Sequence, residues 1–253
     1  MTLTPSTYLF VCPMLFLAGF IDSIAGGGGL VSLPVYLIAG LPPHNAVATN
    51  KMSSTFGTCL STARFFRNGL INVKLVLPSV LAAVCGSSVG AHISMAIDAD
   101  VLRRVMIFIL PVAAFFVLNK KLFHDGGDDA SDFSVRTVII ATAAAFLIGM
   151  YDGFYGPGTG TFLIIVFTVF ARLNIKVANA HAKVINATTN MTALVIFLLN
   201  GQVLFPLCIA AALCNMAGNY VGSGLVMKKG AAIVRPMLIV VLILLFVKLI
   251  MPS

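Results

Sequence analysis

The sequence predicts an all-α integral membrane protein: two inverted-topology repeats with about 8–10 membrane helices, some broken or folded back as re-entrant hairpins with glycine tips. Three observations predict it. Of 253 residues, 59% are hydrophobic and only 9% charged, and the mean hydropathy is +1.04. A soluble domain carries roughly 25% charged residues. The chain also breaks into long apolar runs separated by short polar turns, and its second half repeats the first. Together these exclude a soluble globular protein, a disordered chain and a disulfide scaffold.

The apolar runs are Tyr8–Ile21, Leu30–Ala39, Ala46–Ala63, Val73–Ile97, Val101–Leu118, Val135–Met150, Thr161–Ala171, Val177–Leu199, Val203–Met227 and Ile233–Ile250. A spanning helix needs about 20 apolar residues. The third, fourth, fifth, eighth, ninth and tenth runs meet that length, and the first and sixth are marginal. The second and seventh are too short. Each short run follows a glycine cluster, Gly26-Gly27-Gly28-Gly29 or Gly156-Pro157-Gly158-Thr159-Gly160.

The clusters mark an internal duplication. Asp22 aligns with Asp152, Gly26 with Gly156 and Gly28 with Gly158. After a two-residue insertion, Ala46 meets Ala178, Lys51 meets Lys183, Asn68-Gly69 meets Asn200-Gly201, and Val89-Gly90 meets Val221-Gly222. The organisation read from this is a first transmembrane repeat over 1–118, a polar linker over 119–136 and a second repeat over 137–253, all one membrane domain. The linker holds four of the eight acids.

Sixteen bases against eight acids give a net charge of +8, but the bases sit in the turns rather than in a patch, so no nucleic-acid partner is expected. The turns at Arg64–Lys74 and at Lys228–Arg235 are basic, while those at Gly40–Asn45 and Asn200–Gln202 carry no formal charge. Lys/Arg excess marks the cytoplasmic side. Because the bias flips between equivalent turns, the repeats should be inverted, with both termini outside. The five cysteines lie inside apolar runs without CxxC spacing and read as small buried hydrophobes; no metal site or cofactor is indicated.

Irregular backbone at membrane depth survives only inside protein or around a water-filled cavity. A half-helix starting after glycines presents unpaired N–H groups and the positive end of its dipole, so an anion can bind there without a charged side chain. This makes Gly26, Gly27, Gly28, Gly29, Gly156, Gly158, Thr159 and Gly160 candidate substrate-binding residues. The pairs Gly86/Gly90 and Gly218/Gly222 read instead as close helix contacts.

At these positions the sequence resembles a known family. Gly19-x-x-Asp22-Ser23-Ile24-Ala25-Gly26-Gly27-Gly28-Gly29, with Leu41-Pro42-Pro43-His44-x-Ala46-Val47-Ala48-Thr49-Asn50-Lys51, resembles the TauE/SafE family of sulfite exporters. Gly149-x-x-Asp152-Gly153-Phe154-Tyr155-Gly156-Pro157-Gly158-Thr159-Gly160 is similar to that family's second signature. The resemblance spans nearly the whole chain. It implies a bacterial-type inner-membrane permease for sulfite, sulfonates or related small sulfur-containing anions.

Ionisable groups within spans are costly and mark function. Lys51 with Ser54, and Lys183 with Asn186 and Asn190, occupy equivalent helix faces; with Asn50 they are read as lining a substrate pathway, the alternative being lysines that snorkel to the interface. His181, two residues from Lys183, is a further candidate donor. Asp22 and Asp152 are either proton-coupling carboxylates or structural ion-pair partners of the lysines. His44 is read as a loop residue, and His92 as a packing residue in a span.

The expected function is a secondary transporter, not an enzyme, working by alternating access with a small anionic substrate and a coupling proton. An anion channel is the alternative, with a membrane-embedded enzyme behind it. The expected partners are the anion and the lipid bilayer, with homo-oligomerisation left open.

Overall fold

The computed structural model describes residues 4–98, 101 and 134–250. The fifth apolar run and the linker as far as residue 133 lie outside the described residues, apart from residue 101. Among the described residues the chain is all helix and turn: α1 (Pro5–Ala25), α2 (Gly29–Ile38), α3 (Pro43–Arg67), α4 (Val73–Ala96), α5 (Val135–Phe154), α6 (Thr159–Val169), α7 (Ile175–Leu199), α8 (Phe205–Lys229) and α9 (Ala231–Ile250).

Local chemistry sets the ends. Proline opens α1, α3 and α8, where its missing N–H costs nothing. The Asn72, Ser134 and Asn174 side chains accept backbone N–H bonds at the starts of α4, α5 and α7. His44 lies in the first turn of α3 rather than in a loop, and its Nε2 is 3.1 Å from the Ser94 carbonyl. His92 is exposed, its Nδ1 turned to the Ser88 carbonyl of its own helix, so it does not pack between helices.

Among the described residues, five helices are long and apolar enough to cross a membrane: α1, α4, α5, α7 and α8. The chain is a multi-pass membrane protein. Its outer faces carry many exposed large apolar side chains, among them Leu77, Leu81, Ile139, Leu147, Leu199 and Leu213, as a lipid-facing surface does. With 25 residues, α3 is as long as α7 but is not among these five. Its Thr49, Asn50, Lys51, Ser53, Thr55, Thr58 and Ser61 are buried and meet neighbouring helices instead of lipid.

The GxxxG pairs seat helices against one another. A Cβ on Gly218 would strike the Phe16 carbonyl and one on Gly222 would press on Phe20 and Ser23, so α8 lies backbone to backbone on α1. A Cβ on Gly86 would strike the Phe146 carbonyl and one on Gly90 the Met150 carbonyl, so α4 lies on α5 in the same way. In both contacts the touching residues advance together along the two helices, so each pair runs parallel.

The bundle ends differ in charge. Lys176 packs its stem against Gly230, and the Arg64 guanidinium bonds the Ser223 hydroxyl at 3.0 Å, which gathers the basic turns at one end. At the other end the Asn45 amide donates to the Gln202 carbonyl at 2.8 Å, joining the two uncharged turns. Of the cysteines only Cys208 is buried, and Cys85 is exposed on α4. The expectation of small buried hydrophobes fails at Cys85 because its helix face points away from the bundle.

Candidate functional site: two glycine tips and two crossed ion pairs

Each half brings a helix of about 20 residues to a glycine break, followed by a half-length helix: 21 then 10 residues for α1 and α2, 20 then 11 for α5 and α6. The arms are unequal. The leading arm extends past the apolar run through polar residues at its start, Pro5, Ser6 and Thr7 in α1. The first break works because Gly26 takes φ +74° and ends α1, in the left-handed region that glycine enters freely. Gly156 at φ +93° does the same after α5. The chain then folds back on itself: a Cβ on Gly28 would lie 2.5 Å from Asp22 Cβ and 2.7 Å from the Ala18 carbonyl.

The two tips touch. A Cβ on Gly160 would stand 2.5 Å from Gly26 Cα, and one on Gly29 3.1 Å from Pro157 Cα. Thr161 Oγ1 donates to the Ala25 carbonyl at 2.6 Å and ties the start of α6 to the end of α1. Asn179 Nδ2 donates to the Ser23 and Ile24 carbonyls at 3.3 and 3.0 Å, capping α1 from α7. Gly26, Gly27, Gly28, Gly158, Thr159 and Gly160 are buried, while Gly29 and Gly156 are half-buried.

Around the tips two ion pairs cross between the halves. Lys51 Nζ is 3.0 Å from Asp152 Oδ1, and Lys183 Nζ is 2.6 Å from Asp22 Oδ2. Both lysines are at most 1% exposed. A buried ion costs several kcal/mol unless paired and hydrogen-bonded, and here every charge has an opposite partner. Lys51 also donates to Asn190 Oδ1 at 3.0 Å, and Asn190 donates to Asn186 Oδ1 at 2.9 Å. Asp152 Oδ1 accepts the Thr159 hydroxyl at 2.8 Å, and Asp22 Oδ1 faces the Gly28 amide at 3.4 Å. The four charges sum to zero, beside the starts of α2 and α6, where the Leu30 and Val31 amides bond the Gly27 and Gly28 carbonyls and the Thr159 amide bonds that of Gly156.

Not every candidate gathers here in the same way. Asn50 Oδ1 accepts the Ser32 hydroxyl at 2.5 Å and faces the half-buried Ser54 hydroxyl at 3.4 Å, which joins α3 to α2. His181 turns to the start of α4, where its Nε2 accepts the Asn72 amide at 3.2 Å. The equivalent Thr49 meets the Leu204 amide at 3.5 Å, so this position holds the next helix in both halves. The lysines do not snorkel, since carboxylates inside the bundle hold them.

Sequence reasoning missed Asn179, Thr161 and Ser32. Ser32 is a lone polar residue within an apolar stretch, a signal that could have found it, whereas Asn179 and Thr161 stand among polar or glycine neighbours that drew the attention instead. It also missed Asn215 and Asn219, which are buried where α8 meets α3, with Ser61 Oγ donating to Asn219 Oδ1 at 2.8 Å.

Long apolar helices, paired glycine tips and buried ion pairs between the halves are the architecture of a membrane transport protein, and the similarities of the chain name that class. The family model "Sulfite exporter TauE/SafE" matches residues 11–249, and the chain belongs to that family. Among relatives, a "Probable membrane transporter protein ORF9" from a Sinorhizobium species is 38% identical over 96% of this chain and 91% of its own length. A "Probable membrane transporter protein YfcA" from Escherichia coli K12 is 35% identical over 94% and 87%. A "Probable membrane transporter protein" from Haemophilus influenzae is 31% identical over 93% and 91%. No solved structure matches the chain.

Proposed function

We propose that this protein is a secondary transporter that moves a small sulfur-containing anion, sulfite, a sulfonate or a relative, across the bacterial inner membrane by alternating access coupled to protons. One observation carries the reading: the two glycine tips meet inside the bundle, and each is flanked by an ion pair reaching across from the other half. A site built equally from two halves can open to either side as one half rocks against the other. The starts of α2 and α6 turn the positive ends of their dipoles toward the anion.

The substrate site consists of Gly26 to Gly29, Gly156, Gly158, Thr159 and Gly160, with Lys51, Lys183, Asn50, Ser54, Asn186 and Asn190 around it. His181 supports the adjoining helix start. The parallel contacts of α1 with α8 and of α5 with α4 support two repeats of inverted topology, because each repeat's first helix then aligns with the other's fourth. The clustering of basic turns at one end supports a cytoplasmic assignment for that end.

Radiolabelled sulfite uptake into proteoliposomes tests the proposal. A carrier shows uptake that unlabelled sulfite on the far side accelerates. Uptake without that acceleration would indicate a channel, and no uptake of sulfite, taurine or methanesulfonate would end the anion reading.

A further inference from the structure

The two ion pairs are equivalent in sequence but not in bonding, and this inference rests on the anion-transport reading above. Asp22 has both carboxylate oxygens engaged, Oδ2 by Lys183 and Oδ1 by the Gly28 amide. Asp152 concentrates its bonds on one oxygen: Oδ1 takes both Lys51 at 3.0 Å and the Thr159 hydroxyl at 2.8 Å. Its Oδ2 is buried and meets no donor among the described residues. Asp152 is 2% exposed. A buried carboxylate oxygen without a donor carries the full cost of its lost hydration.

We propose that Asp152 is the carboxylate that takes up the coupling proton, on Oδ2, and that this uptake releases Lys51 to bind one monovalent oxyanion. A proton from water forms an O–H bond at Oδ2, and the carboxylate becomes a neutral acid. Lys51 keeps its own proton. The cluster of Lys51, Lys183, Asp22 and Asp152 moves from zero to one net positive charge. Lys51 remains held by Asn190 Oδ1, beside the half-buried Gly156, where an added Cβ would stand 2.9 Å from its Nζ. A monoanion at that point restores neutrality, so one proton travels with one anion. The Asp22–Lys183 pair keeps both its charges and serves as a fixed brace.

The surroundings leave few competing proton acceptors. From α4, residues Ala83, Ser87 and Gly90 meet α5, while its Lys74, Cys85 and His92 are exposed. The α6 helix has no ionisable residue. From α7, Lys183 is paired with Asp22, His181 is bonded at the start of α4, and Lys176 lies against Gly230. From α5 and the turn after it, Tyr151 donates to the Pro157 carbonyl at 2.6 Å and Tyr155 is fully buried. Lys51 from α3 and Asp22 from α1 complete the set.

The test uses the purified full chain and methanesulfonate, which stays a monoanion across the working range. Wild-type protein in weakly buffered solution should take up one proton per anion bound. Its affinity should weaken about tenfold per pH unit at alkaline pH, the slope of a single linked proton. Asp152→Asn should bind with no proton uptake and a flat pH profile. A wild type that binds without proton uptake, or an Asp152→Asn protein that keeps the uptake and the slope, overturns the assignment.

Should Asp152→Asn fail to fold, infrared difference spectra of the wild type decide. Anion binding should raise a protonated-carboxyl stretch, and Thr159→Ala, which removes a donor to Oδ1, should shift it. An absent band, or one that Thr159→Ala leaves unmoved, overturns the assignment. Failure of the wild type to bind any of sulfite, taurine and methanesulfonate overturns the transport reading as well.

Discussion

Lys183 Nζ lies 2.6 Å from Asp22 Oδ2, a contact between residues 161 positions apart that joins α7 of the second half to α1 of the first. Lys51 and Asp152 repeat the arrangement in reverse. Neither half can satisfy its own lysine, so the halves stabilise each other through their charges. Asp22→Ala and Lys183→Ala should each destabilise the fold by about 3–5 kcal/mol, because each strands a buried charge. The double substitution Asp22→Leu/Lys183→Met should recover most of that loss while still failing to transport. Thermal melts in detergent, compared across the double-mutant cycle, check the coupling.

The contact between the tips should be graded by the space each glycine has. At Gly160 a Cβ would stand 2.5 Å from Gly26 Cα, with backbone on both sides unable to yield. At Gly29 the nearest atom is 3.1 Å away. Gly160→Ala should therefore separate the tips and lower sulfite flux by roughly a hundredfold or more, as misplacing a site by about an ångström can. Gly29→Ala should retain flux within a few-fold. Equal loss in both would mean that the tip contact does not govern transport.

The helix seats at Gly86 and Gly218 carry stability rather than chemistry. Gly218→Ala should cost about 1–3 kcal/mol by overpacking against the Phe16 carbonyl, and Gly86→Ala should behave alike against Phe146. Gly201 is the contrast: it has φ +65° and nothing within 4 Å of an added Cβ. Gly201→Ala should cost only the left-handed strain, about 1–2 kcal/mol. Melting temperatures of the three variants in one detergent separate the two causes.

Arg64 anchors α3 to the end of α8. Its guanidinium lies 4.0 Å from the centre of the Tyr220 ring, donates to the Tyr220 carbonyl and bonds the Ser223 hydroxyl. Arg64→Lys should lose roughly 1–2 kcal/mol, since an ammonium cannot stack and bond in one plane. A Tyr220→Leu background should remove part of that difference, and chemical denaturation in micelles measures both.

The two ends of the bundle should face opposite compartments. A cysteine placed at Asn200 in a cysteine-free background should react with a membrane-impermeant maleimide on intact cells. One at Lys229 should react only after permeabilisation, because basic turns stay in the cytoplasm. The reverse pattern would invert the proposed orientation.

The amino-acid order alone determined the solvent this chain occupies, its duplication and the positions of its breaks. Each is a local or periodic property: apolar runs matched to bilayer thickness, one register repeated, glycine where the backbone must turn sharply. It also singled out Lys51, Lys183, Asp22 and Asp152, because charge inside an apolar run is conspicuous. Only the tertiary structure decided which aspartate meets which lysine, and that the partners cross between halves. Pairing depends on helix direction and packing rather than on spacing along the chain. The same holds for His181, which stands beside Lys183 in sequence but turns toward Asn72, since neighbours on a helix point about 100° apart per residue. The asymmetry of Asp152 was equally out of reach, because an unpartnered oxygen is defined by every group around it and appears only once the helices have closed over it.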